Sequence, residues 1–121
     1  MKLGARARRE LGQNFLIDRQ SVERIVEALD PRDGEPLLEI GPGRGALTSV
    51  LVGRLNRMAA VERDRTLAEA LRRDYPSDRL IVIENDVLKV DLASIAPSLG
   101  HPASTRLVVV GNLPYNISKP I

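Results

Sequence analysis

Short apolar runs alternate along this chain with stretches whose apolar residues recur every three to four positions. The first periodic stretch is Arg19 to Leu29, where Val22, Ile25, Val26 and Leu29 share one helical face. Asp18 is placed to cap it, and Pro31 with Gly34 ends it. Pro36 to Ile40 reads as a short buried strand that runs straight into the cluster Gly41-Pro42-Gly43-Arg44-Gly45. A second helix is predicted over Ala46 to Leu55, with Leu47, Val50 and Leu51 inward. Met58 to Val61 is a second strand with Glu62 at its carboxyl end. Asp64 can cap a third helix that carries Leu67, Ala68 and Leu71 on one face and stops before Pro76. Leu80 to Ile83 is a third strand, followed by Glu84, Asn85 and Asp86. A short helix is expected over Val90 to Ala96, a Pro/Gly/Ser loop over Pro97 to Thr105, and a fourth strand over Leu107 to Val110.

Strands that alternate with amphipathic helices predict an α/β fold around a parallel sheet. The strands carry few charges, as expected when helices cover both sheet faces. In such sheets ligands bind beyond the carboxyl ends of the strands. Glu39 to Gly45, Glu62, Asp86 and the segment Asn112 to Tyr115 all fall at that edge. Four signals at one rim carry more weight than any one of them.

Composition narrows the chemistry further. The 121 residues make at most one domain, and 43% hydrophobic with 28% charged is an ordinary globular balance. No apolar run approaches the ~20 residues of a membrane span, and the first ten residues lack the apolar core of a secretory signal. The absence of cysteine excludes disulfides, thiolate metal sites and a cysteine nucleophile. His101 has no second histidine to help it bind a metal, so no metal site is proposed. Net charge is only +2, but Lys2, Arg6, Arg8 and Arg9 face a single acid, Glu10, in a basic N-terminal arm.

The glycine cluster has GxGxG spacing, one residue short of the GxGxxG dinucleotide fingerprint, which suits a ligand without a pyrophosphate. A carboxylate at Glu62 can accept from both hydroxyls of a ribose, and one at Asp86 can accept from an adenine amino group. Together they point to an adenosine-containing cofactor, with NAD, ATP and S-adenosylmethionine all open at this stage. Asn112-Leu113-Pro114-Tyr115 separates them, because it resembles the Asn/Asp-Pro-Pro-Tyr/Phe motif of amino-methyltransferases. The N6 lone pair of adenine is delocalised and weakly nucleophilic. The Asn112 amide oxygen, with a backbone carbonyl near Leu113 or Pro114, can accept both N–H groups and favour a pyramidal nitrogen. Catalysis is then positioning and electrostatics. Tyr115 can stack on an extruded base and favour a sulfonium cation. A base inside a duplex must be flipped or unpaired to reach such a pocket.

With these residues in hand the chain resembles the N-terminal part of the ribosomal RNA adenine N6-dimethyltransferase family. The likeness runs from about Leu11 to Ile121. It is carried by Leu11-Gly12-Gln13-Asn14-Phe15-Leu16, Leu38 to Thr48, Val61-Glu62-Arg63-Asp64, Asn85-Asp86 and Asn112 to Ser118. The resemblance implies a Rossmann-like class I S-adenosylmethionine-dependent fold. It implies cofactor contacts at Gln13, Asn14, Leu16, Gly41, Gly43, Glu62, Asp86 and Asn112, with Asn112, Leu113, Pro114 and Tyr115 catalytic. It further implies a cytoplasmic enzyme that dimethylates two adjacent adenines near the 3′ end of 16S rRNA in the immature small subunit. A 23S rRNA methyltransferase of the antibiotic-resistance branch is the alternative. A nicotinamide oxidoreductase and a non-catalytic RNA-binding assembly factor are the readings from other classes.

Family members continue for roughly as many residues again, with further strands and a small helical RNA-holding domain. The chain therefore reads as a methyltransferase sheet truncated after its fourth strand. Residues 1–35 give the basic arm, the cofactor-contacting segment and a helix, and 36–121 give the first half of the sheet. So truncated, Leu107 to Val110 would form an open apolar edge that invites self-association. The chain alone is expected to transfer methyl groups poorly.

Overall fold

The computed structural model describes residues 18–111. Its elements, in order, are α1 (Arg19–Leu29), β1 (Leu37–Ile40), α2 (Ala46–Arg54), β2 (Met58–Glu62), α3 (Arg65–Asp74), β3 (Leu80–Glu84), α4 (Ile95–Ser98) and β4 (Val108–Gly111). The strands form one parallel sheet in the order β3-β2-β1-β4. β1 is therefore central, and the chain reverses direction across the sheet after β3.

Capping explains where the helices start. Asp18 accepts from the Gln20 N–H at 3.2 Å, and Asp64 accepts from the Leu67 N–H at 3.0 Å. α1 ends where Asp30 takes a left-handed conformation, with its N–H on the Val26 carbonyl at 2.8 Å. Both faces of the sheet are covered. Leu37, Met58, Ala60, Leu80 and Val82 pack with Val22 and Val26 of α1, Leu47 and Leu51 of α2, and Ala68 and Leu71 of α3. On the opposite face Leu38, Ala59 and Val61 pack against Ile95 of α4. Truncating a side chain as enclosed as Leu51 costs roughly 2–5 kcal/mol.

Two local expectations are corrected. α2 buries Thr48 and Val52 beside Leu47 and Leu51, whereas Val50 is 36% exposed. Its inward stripe is rotated toward Thr48, because that hydroxyl has a buried partner on β1. The helix expected over Val90 to Ala96 is instead two 3-10 turns, Val87–Lys89 and Leu92–Ser94, followed by α4. The Asp86 and Asp91 side chains accept N–H groups two residues on, from Leu88 at 3.0 Å and Ala93 at 3.1 Å. Such local bonds offer the backbone an alternative to a regular helix. Pro97 lies within α4 rather than after it, in a first turn where its missing N–H costs no hydrogen bond.

Among the described residues no helix is long and apolar enough to cross a membrane.

Candidate functional site

The loop between β1 and α2 turns back over the carboxyl end of the sheet. Gly41, Gly43 and Gly45 have φ of 66°, 59° and 88°, a left-handed backbone that side-chain-bearing residues rarely adopt. The loop is latched from several sides. The Gly41 N–H donates to the Val61 carbonyl at 2.9 Å, and the Gly45 N–H to the Pro42 carbonyl at 2.9 Å. The Gly43 N–H donates to Oε1 of Glu62 at 3.0 Å. Oε2 of Glu62 accepts from the Asp64 N–H at 2.8 Å. The Glu62 side chain is buried, so one carboxylate at the end of β2 fixes both the glycine loop and the start of α3.

A second carboxyl lies beneath the same loop. Glu39, in the centre of β1, is 2% exposed, and the Thr48 hydroxyl donates to its Oε1 at 2.5 Å. The bond ties the first turn of α2 to β1 across the base of the glycine loop. Burial pushes the Glu39 carboxyl up to about 7, the Thr48 hydrogen bond opposes the rise, and the neighbouring Glu62 adds to it.

Asp86 follows β3 at the same edge. The Asn85 N–H donates to the Glu62 carbonyl at 3.1 Å, extending the β2–β3 pairing to the residue before Asp86. One oxygen of Asp86 caps the turn at Leu88, so it serves as a turn residue and stands at the rim as well. Gly41, Gly43, Glu62 and Asp86 thus gather around the ends of β1, β2 and β3. Gln13, Asn14, Leu16, Asn112, Leu113, Pro114 and Tyr115 lie outside the described residues. The last described residue, Gly111, sits opposite Ile40, and a Cβ there would meet the Ile40 carbonyl oxygen at 2.7 Å. Gly111 therefore lets β4 close on β1 immediately before Asn112.

Reading the sequence assigned no role to Thr48 or Gly111. A hydroxyl on the inward face of a helix, three residues after a glycine turn, was the available signal for Thr48. Nothing local marks Gly111, because the atoms that require it belong to a strand some seventy residues away in sequence. Chemically, the rim offers a glycine turn whose glycine N–H groups are all engaged within the protein. Each Glu62 oxygen accepts one backbone N–H, from Gly43 and from Asp64, and keeps a lone pair for an incoming hydroxyl.

Comparison with known proteins places this geometry in a family. The model described as ribosomal RNA adenine dimethylase matches residues 4–121. The chain is 52% identical over 114 residues to the ribosomal RNA small subunit methyltransferase A of Paracidovorax citrulli, covering 94% of this chain and 43% of that protein. It is 53% identical over 115 residues to the protein of the same name from Albidiferax ferrireducens, covering 95% and 42%. The chain thus spans about two fifths of the length of the curated relatives it matches. Among solved structures, the 23S rRNA methyltransferase ErmE aligns with a TM-score of 0.66 and 31% identity, over 84% of this chain and 38% of that one. A dimethyladenosine transferase from Plasmodium falciparum aligns with a TM-score of 0.63 and 24% identity over 85% and 34%, a likeness of fold. The parallel sheet with its central glycine-loop strand is the class I methyltransferase arrangement of these neighbours, and the chain belongs to the ribosomal RNA adenine dimethylase family.

Proposed function

We propose that this chain is the cofactor-binding part of an enzyme that methylates the N6 atoms of two adjacent adenines near the 3′ end of 16S rRNA. The methyl donor in this reading is S-adenosylmethionine, whose sulfonium supplies an electrophilic methyl group. The observation that carries the reading is the roughly 50% identity to relatives named as small-subunit rRNA methyltransferases. ErmE, named for 23S rRNA, stands at 31% and favours the alternative target less.

The residues fit an adenosine-containing sulfonium ligand. Glu62 would accept from the ribose hydroxyls with its remaining lone pairs, and Asp86 would accept from the adenine amino group. The glycine N–H groups are already used within the protein, which speaks for a ligand that brings no pyrophosphate to this loop. Gln13, Asn14 and Leu16 would complete the cofactor contacts. Asn112, with a carbonyl of Leu113 or Pro114, would hold the target amino group, and Tyr115 would stack on the base. Catalysis in this scheme is orientation, with no proton removed beforehand. The substrate would be rRNA in the immature small subunit, met in the cytoplasm, with residues 1–35 forming a basic arm and cofactor-contacting segment ahead of the sheet.

The test is calorimetric titration with S-adenosylmethionine, with NAD as competitor, followed by methylation of small subunits that lack the two dimethyladenines. Binding that ignores NAD and is lost in Glu62→Ala is expected. In the longer protein, methyl transfer to two adjacent adenines of 16S rRNA is expected. Label found in 23S rRNA instead would overturn the target.

A further inference from the structure

The Glu39 carboxyl is buried in the sheet without a cation. Among the described residues it makes one side-chain hydrogen bond, to Thr48, and no ion pair. Its surroundings are apolar or acidic. β2 places Ala60 beside it in register and Glu62 two residues further along the same face. β4 places Val110 beside it, α2 contributes the Thr48 hydroxyl, and just after α3 the Tyr75 phenol lies close enough to feel its charge. A charge buried in such a place is costly unless it is paired, and the cheapest remedy is to hold a proton. A cation seated over the loop would reverse that preference, because an opposite charge nearby favours the ionised carboxyl.

We infer that Glu39 is a positioning residue which supports the glycine loop through Thr48 and releases its proton to solvent as the cationic cofactor seats. The inference rests on the cofactor reading above. The step balances simply: the Glu39 O–H bond breaks, the proton passes to buffer, and the carboxylate that remains faces the positive ligand. Thr48 keeps donating its hydroxyl hydrogen to Glu39 in either state, so the loop is held throughout. By linkage, cofactor affinity must then rise with pH while Glu39 is being emptied. With the free carboxyl near 7, the gain between pH 6 and pH 8 is expected to be about tenfold.

The experiment is calorimetric titration of the full chain with S-adenosylmethionine at pH 7 and pH 9, in two buffers of widely different ionisation enthalpy. Parallel runs use Glu39→Gln and Thr48→Val. The parent is expected to release roughly half a proton more than Glu39→Gln at pH 7, and no more than it at pH 9. Glu39→Gln, neutral at every pH like the protonated parent, should bind at least tenfold more weakly than the parent at pH 9 and lose the pH dependence. Thr48→Val should keep the proton release but bind several-fold more weakly. Should Glu39→Gln fail to fold, the pH profile of the parent decides: release centred near pH 7 supports the inference, and a flat profile overturns it. Binding with equal proton release in parent and Glu39→Gln would overturn the role of Glu39 alone. Complete absence of binding by the parent would overturn the cofactor reading and this inference with it.

Discussion

The Glu62 carboxylate takes one backbone N–H on each oxygen, from Gly43 and from Asp64. Glu62→Ala leaves the Gly43 donor buried without an acceptor, which costs about 1–3 kcal/mol. Urea denaturation should show that loss even without cofactor, and calorimetry should show cofactor affinity falling more than tenfold. A variant of unchanged stability would mean that the latch to the loop is not formed. Glu39 behaves in the opposite sense. Its folded pKa lies near 7 against an ordinary 4.5, so the stability it allows in acid is lost as pH rises through about 7. Glu39→Gln should therefore match the parent at pH 5 and exceed it at pH 8, by up to about 3 kcal/mol. Melting temperatures at the two pH values check this, and an equal effect at both would sink it.

Arginine side chains join the elements at the far edge of the sheet. Arg79, just before β3, donates to the carbonyls of Val52 at 2.7 Å and Asn56 at 3.0 Å, satisfying acceptors at the end of α2. Arg79→Ala should lower stability by about 1–2 kcal/mol and raise amide exchange at the end of α2. At the other edge, Gly111→Val would drive a branched side chain into the Ile40 carbonyl. A loss of about 1–3 kcal/mol is expected, with faster exchange of β4 amides. Most elements were legible in the sequence because their signals are local: Asp18 and Asp64 as caps, glycines at 41, 43 and 45 for the turn, and apolar runs for the strands. The readings that failed depended on partners distant in sequence or on competing local bonds. Thr48 is drawn inward by Glu39, which displaces Val50 to the surface. The aspartates at 86 and 91 tighten the backbone into turns where a helix was expected. At the site, Glu62 and Asp86 were readable as rim residues. The Gly43–Glu62 bond was not, because it joins residues whose closeness is created by sheet pairing.

At the scale of the whole molecule the outer side of β4 governs how the chain behaves in solution. Among the described residues β4 pairs only with β1, and Val109 is 46% exposed. Studied by itself, the chain is expected to self-associate through this edge. Sedimentation should show dimers or larger species that Val109→Lys returns toward monomer. A single monomeric species at all concentrations would argue against it. The strand order has a consequence for the order of folding. Residues 37–84 pair each new strand with the one just made, so the rim carrying Gly41, Glu62 and Asp86 depends on short-range steps. β4 must instead travel back past two strands to reach β1, a step of higher contact order. The rim that the proposal gives to the cofactor can therefore assemble before β4 docks on β1. A cofactor that binds this rim would act as a folding partner, drawing the early part of the sheet toward its native state ahead of β4.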